Sequence, residues 1–163
     1  MIVILMGVSG TGKTTVGALL AKAIDASFCD ADELHPAFNI AKMVSGEPLN
    51  DDDRLPWLQQ VKARIDDATN CSESLVVACS ALKQRYRRLF RIDEGNPRFV
   101  YLHGTKNLVG ERLRSRKGHF MQAALLDSQF EALEAPSPDE ALTVDITATP
   151  NDIVAQICEW LKS

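Results

Sequence analysis

Aromatic residues are scarce: two Trp, two Tyr and six Phe among 163 residues. They are too scattered to stack successive bases, so single-stranded nucleic acid is an unpromising partner. Positive charge is not in surplus either. Eighteen Lys and Arg stand against 22 Asp and Glu, a formal net charge of −4. That argues against bulk nucleic-acid binding, although basic residues can still line a cleft. No apolar run approaches the roughly 18–20 residues of a membrane span, and no membrane association is expected. Cys29, Cys71, Cys79 and Cys158 lack CxxC or any other metal-ligand spacing. Two of them sit in or beside apolar strands and read as small buried hydrophobes, and a reduced cytoplasmic compartment is expected. The chain opens directly on an apolar strand, so no signal or transit peptide is expected. Internal repeats, low-complexity tracts and the N-K-x-D segment of a guanine-reading switch are all missing. Length and an ordinary apolar fraction predict one domain, residues 1–163, with a proper core.

What is present is a phosphate-binding pattern. Gly7-Val8-Ser9-Gly10-Thr11-Gly12-Lys13-Thr14 fits G-x-x-x-x-G-K-[ST] at every fixed position. The run Ile2 to Met6 leads in as a buried strand, and a helical pattern from Lys13 to Ile24 leads out. Glycines let successive N–H groups turn inward around phosphate oxygens, since no Cβ blocks positive φ. The helix N-terminus adds partial positive charge. Nucleotide contacts are therefore expected from Gly7, Ser9, Gly10, Thr11, Gly12, Lys13, Thr14 and Thr15. Lys13 places a cation on the β- and γ-phosphates of ATP, and the Thr14 hydroxyl can ligate Mg²⁺.

Apolar strands alternate with helical patterns to the end of the chain. Strands are predicted at 27–29, 75–79, 99–102 and 142–146, after the first at 2–6. Helices are predicted at about 37–45, 55–70, 82–91, 106–116, 122–133 and 150–162. This is the pattern of an α/β fold with a doubly wound, parallel, five-stranded sheet. Ligands in such sheets sit beyond the carboxyl ends of the strands, so residues that follow strands are the informative ones.

The second strand delivers Asp30 and Asp32, which point the same way if the chain stays extended. No Asp closes the third strand, where many phosphate-loop proteins keep a magnesium-organising carboxylate. Asp30 is the substitute, acting through a metal-bound water. Asp32 is left to meet an acceptor hydroxyl, or to cap the following helix, or both. His35 lies just beyond, as a structural or a substrate-contacting residue. Asp51-Asp52-Asp53 reads as a solvated helix start, whereas Arg54 can clamp a carboxylate or phosphate. After the third strand Ser80 is the expected helix cap. Lys83 and Arg87, spaced i, i+4, form either a cationic face on the cleft or a surface patch. Arg112 and Arg116 share one helical face before Gly118 and suit a lid over the triphosphate; the alternative is a solvated helix C-terminus.

With these segments in view, the chain resembles gluconokinases of the short, P-loop type over nearly its whole length. The resemblance rests on MGVSGTGKTT at 6–15, DADELHP at 30–36, Asn39 with Lys42-Met43, and SGEPLNDDDRLPWL at 45–58. It continues through ACSALKQRYR at 78–87, RLRSRKGHFM at 112–121 and LLDSQFEALEAP at 125–136. Departures are small: Thr11 where serine is common, and a variable stretch from Ile92 to Arg98. The resemblance implies a P-loop kinase fold with a helical lid at about 112–123. It implies transfer of the ATP γ-phosphate to the 6-hydroxyl of D-gluconate, with Mg²⁺, by a cytoplasmic homodimer. Lys13, Asp32 and Arg116 would be catalytic, Arg112 and Arg116 would hold nucleotide, and Thr14 and Asp30 would hold the metal. Asp32, His35, Arg54, Lys83, Arg87, His119 and Gln129 would face gluconate. Two other readings stand beside it: a different small-molecule kinase, such as a shikimate-type kinase, and a nucleotide-gated binding module. In the latter the lid arginines and acceptor-side cations would have no purpose.

Overall fold

The computed structural model describes residues 1–93, 96–115 and 123–163. Its first strand, β1 (Ile2–Met6), is followed by helix α1 (Lys13–Ala23), strand β2 (Ser27–Asp30) and a 3₁₀ turn (Ala31–Leu34). Helices α2 (Ala37–Val44) and α3 (Asp51–Asn70) precede β3 (Leu75–Ala78), α4 (Gln84–Phe90) and β4 (Arg98–His103). The remainder is α5 (Lys106–Ser115), α6 (Ala123–Ala132), β5 (Ala141–Asp145) and α7 (Pro150–Lys162). The strands form one parallel sheet in the order β2-β3-β1-β4-β5.

β1 is central and wholly buried, which its unbroken apolar run dictates. Side chains alternate across the pleat. Ile2, Ile4 and Met6 enter a core with Trp57, Val61 and Ile65 of α3 and Phe90 of α4. Val3 and Leu5 enter the opposite core, with Val16 and Leu20 of α1, Val109 of α5 and Ile153 and Ile157 of α7. Both faces are thus covered, as a parallel sheet requires.

Local chemistry moves two helix starts from their expected places. α3 begins four residues before position 55, because Asn50 and Asp53 form a reciprocal capping box. Pro56 is the sixth residue of α3, past the N–H groups that a helix start leaves unpaired, so α3 forgoes one i→i−4 bond there. α4 starts only at Gln84, and Ser80 is not its cap. Ala81 has φ +43, a left-handed turn that no helix can pass through. The orphan Gln84 N–H instead donates to Glu134 Oε2 at 2.7 Å.

The same turn decides the fate of Arg87. Its side chain, on the buried face of α4, is 1 % exposed, so it is a packing residue and not an acceptor contact. The guanidinium makes a bidentate pair with Glu140 at 2.8 and 3.1 Å and donates to the carbonyls of Ala81, Leu82 and Glu134. A buried guanidinium left without its carboxylate is strongly destabilising. Glu140→Ala should therefore lower unfolding stability by about 3–5 kcal/mol, read as a fall in urea midpoint. A midpoint equal to the parent's would show that the pair carries no stability.

Candidate active site

The loop between β1 and α1 is suspended over the carboxyl end of the central strand. Gly7 (φ +141) passes so close to β4 that a Cβ there would meet the Leu102 carbonyl oxygen at 2.8 Å. Its N–H donates to Ser80 O at 3.2 Å, tying the loop to the chain leaving β3. Gly12 (φ +91) is open, with nothing within 4 Å of an added Cβ. Thr11 is buried, and its hydroxyl donates to Val8 O at 3.0 Å, bracing the loop from within.

Three adjoining cavities surround this loop. A groove of about 70 Å³ is lined by Ser9, Gly10, Gly12, Lys13, Thr14, Thr15, Asp30 and Asp32. A larger cavity of about 380 Å³ shares Ser9, Lys13 and Asp32 with it and runs on to His35, Arg54, Trp57, Ser80 and Gln129. Ile40, Met43, Leu49, Leu82 and Leu125 supply its apolar walls. On the far side a cavity of about 260 Å³ shares Gly12 and Thr15 with the groove and reaches Arg112, Ser115, Ile146, Ala148 and Pro150.

The groove carries the chemistry expected of a phosphate and metal site. Lys13 Nζ donates to the carbonyls of Gly7 and Val8 at 3.0 and 2.9 Å, so its ammonium is curled against the loop. The Thr14 hydroxyl donates to Asp30 Oδ2 at 2.8 Å. The other oxygen of Asp30 accepts the Asp32 N–H at 3.0 Å and caps the 3₁₀ turn. Asp30, not Asp32, is therefore the cap, and Asp32 lines both the groove and the larger cavity. Two hard oxygen donors side by side suit Mg²⁺, which takes one or two protein ligands and completes its shell with phosphates and water. Among the described residues no group of three or more His, Cys, Asp or Glu is placed to hold a metal ion.

The larger cavity is organised by His35. Its ring stacks on Trp57, with centroids 4.2 Å apart and planes 12° from parallel. Trp57 Nε1 in turn donates to Ala31 O at 2.6 Å. Asn39, buried on α2, donates its amide to Asp53 O at 2.8 Å and lies 3.3 Å from His35 Nδ1. An amide nitrogen can only donate, so Nδ1 is the acceptor and Nε2 carries the proton. Burial, helped by the nearby Arg54 charge, lowers the His35 pKa to about 4. The imidazole is accordingly neutral at physiological pH.

Several expected residues are placed elsewhere. Lys83 is the N-cap of α4 and is turned to Asp51, 3.0 Å away, instead of lining the cavity. With Arg87 on the buried face of α4, the expected i, i+4 cationic face on the cleft does not form. Asp51 and Asp53 are not merely solvated: Asp53 pairs with Lys42 at 2.7 Å and joins α2 to α3. Arg112 holds the Ile146 carbonyl at 2.7 Å on the far cavity's wall. Gln129 reaches the loop, accepting the Ser9 N–H at 2.7 Å. Arg116, Gly118 and His119, with most of the expected lid, lie outside the described residues. Sequence reasoning missed Trp57 as the platform for His35, and Ala148 and Pro150 on the far cavity. The rule that ligands gather beyond strand ends pointed at the latter, since both follow β5.

The lowered His35 pKa has a definite consequence for stability. Between about pH 6.5 and pH 4 the unfolded chain binds a proton at this site and the folded chain does not. Stability should fall as pH drops through that window and level off, for this group, below pH 4. His35→Gln should flatten that part of the curve, measured by urea unfolding at a series of pH values. An unchanged slope would contradict the burial of a neutral imidazole.

With the geometry in view, the relatives of the chain can be weighed. The shikimate kinase family profile matches residues 9–162. A thermoresistant gluconokinase of Escherichia coli (strain K12) is 46% identical over 165 residues, spanning 99% of this chain and 93% of the relative. Among solved structures, an unliganded sugar kinase from a Janibacter species superposes with a TM-score of 0.90 at 40% identity, covering 99% of this chain and 94% of the other. A gluconokinase from Sinorhizobium meliloti 1021 gives 0.83 at 40% identity, covering 98% and 94%. Similarity at this level over the whole length, on a phosphate loop opening into a second, larger cavity, places the chain in the gluconokinase family of ATP-dependent P-loop kinases, within the wider shikimate kinase group.

Proposed function

We propose that the protein transfers the γ-phosphate of ATP to the 6-hydroxyl of D-gluconate, giving 6-phosphogluconate and ADP. The observation that carries this reading is the sharing of Ser9, Lys13 and Asp32 between the phosphate groove and the larger cavity. A hydroxyl in that cavity meets the terminal phosphate beside one carboxylate. The cavity's inventory matches an open-chain sugar acid. Arg54 offers a guanidinium to the carboxylate, Asp32, Ser80, Ser128 and Gln129 offer partners for hydroxyls, and Ile40, Met43 and Trp57 flank the carbon chain. The far cavity, with Arg112 and Pro150, takes the nucleoside end of ATP.

Phosphoryl transfer is mostly positioning and charge neutralisation. Thr14 and Asp30 would hold Mg²⁺, which would supply positive charge to offset that of the phosphates. Lys13 adds its ammonium to the same oxygens, and the loop N–H groups, with the α1 N-terminus, hold the phosphates in place. Asp32 orients the acceptor hydroxyl and takes up its proton. His35, neutral with its proton on Nε2, donates to an acceptor oxygen. The reading extends to a cytoplasmic homodimer. Four free cysteines support the compartment, and the solvent-facing Phe38, Val44 and Leu55 support self-association. Among the described residues no helix is long and apolar enough to cross a membrane.

Lys13→Ala should leave the fold intact and lower kcat by at least about a hundredfold, the scale for losing one preorganised charge-stabilising group. Near-parent turnover in a folded variant would remove Lys13 from the chemistry. The substrate is tested by kcat/KM for D-gluconate against shikimate and D-glucose, and gluconate should lead. Arg54→Ala should raise the gluconate KM about tenfold to a hundredfold while the ATP KM changes little. Arg54→Lys should not restore it, since lysine lacks the planar fork. A preference for shikimate in the parent would overturn the substrate, and an unchanged gluconate KM in Arg54→Ala would overturn the residue.

A further inference from the structure

Arg54 does not stand alone at the cavity wall. Its Nη1 donates to the Tyr86 hydroxyl at 3.2 Å, and that hydroxyl donates to Asp51 Oδ1. The direction is fixed by chemistry. A guanidinium has no acceptor, so the one phenolic proton must go to the carboxylate. Asp51 is itself anchored twice more, by Lys83 Nζ at 3.0 Å and by a salt bridge to Arg85. Three cations therefore surround the Tyr86 ring, with Arg54, Lys83 and Arg85 at 5.9, 5.9 and 5.5 Å from its centroid. Asp51 is the carboxylate that accepts directly from Tyr86, Lys83 and Arg85. These bonds, Arg85's foremost, hold its carboxyl well below the usual carboxylate range, so it stays charged.

The placement of this cluster matters more than its stability. Arg54 is on the first turns of α3, Tyr86 is on α4, and only Arg54 of the group lines the large cavity. A guanidinium carries five N–H donors in one plane. Committing Nη1 to Tyr86 fixes that plane and leaves other donors for the cavity. An untethered arginine would have to surrender rotamer freedom when a ligand binds, and three unbalanced cations would repel one another.

We propose that Tyr86 and Asp51 are positioning residues for the acceptor: the Asp51–Tyr86–Arg54 relay presets the guanidinium that receives the acceptor's carboxylate. This rests on the reading of gluconate as acceptor and of Arg54 as its partner. Lys83 and Arg85 serve the relay from its outer side.

Tyr86→Phe tests the idea, because it keeps the ring between its cations and deletes only the hydroxyl. The expected result is a rise in gluconate KM of about fivefold to tenfold, with ATP KM within about twofold of the parent. In an Arg54→Ala background the same change should add nothing, since there is no guanidinium left to position. Asp51→Asn should reproduce the Tyr86→Phe pattern and serves if Tyr86→Phe melts too low to assay. An unchanged gluconate KM in a folded variant overturns the relay. So does an effect that persists without Arg54, or one that raises both KM values alike, as loosened packing would. A parent that fails to phosphorylate gluconate overturns the functional reading and the relay together, whereas a parent that does so, with a silent Tyr86→Phe, overturns the relay alone.

Discussion

Gly7 touches β4 where no other residue could, and the site is built outward from that approach. With a Cβ placed 2.8 Å from the Leu102 carbonyl, the loop would have to lift off the sheet. It stays down because the central strand is buried on both faces and paired on both edges. The Gly7 N–H to Ser80 bond then fixes the loop against the chain leaving β3. A catalytic turn anchored on three neighbouring strands has little freedom to rearrange, which is what preorganised charge stabilisation demands.

The acceptor side depends on a different economy of polar groups. Among the described residues, several charged groups around the large cavity have polar partners before any ligand arrives. Asp53 takes Lys42 and closes the α3 capping box, Asp51 gathers Lys83, Arg85 and Tyr86, and Asp30 joins Thr14 to the 3₁₀ turn. His35 is kept neutral by burial against Trp57 and by Arg54 beside it. The cavity thus presents few groups in defined orientations, and discrimination rests on them.

Buried and cavity-lining cations are separated by what lies around them. Arg87 and Arg54 look equally suited to bind an anion when read along the chain. Arg87, however, has carbonyls and Glu140 packed around its guanidinium, and Arg54 has the open cavity before it. A carboxylate from the turn just before β5, more than fifty residues away, makes that distinction.

The alternation of apolar runs and helical patterns was enough to set five parallel strands and their succession with helices along the chain, because periodicity of burial is a local property. The phosphate loop was equally legible, since glycines at fixed spacing answer a backbone requirement. Asp30 and Asp32 followed from their position after β2. The tertiary structure alone decided which of them caps the turn, that Ser80 is no helix cap, and that Lys83 and Arg87 leave the cleft. Except for the cap, which is set by the Asp32 N–H two residues on, these outcomes depend on partners distant in sequence: Asp51 for Lys83, Glu140 for Arg87, and the Gly7 N–H that holds the Ser80 carbonyl beside the left-handed Ala81. Sequence spacing specifies which residues can share a face, but the carboxylate that claims a given cation is chosen by the packing of elements that spacing does not relate.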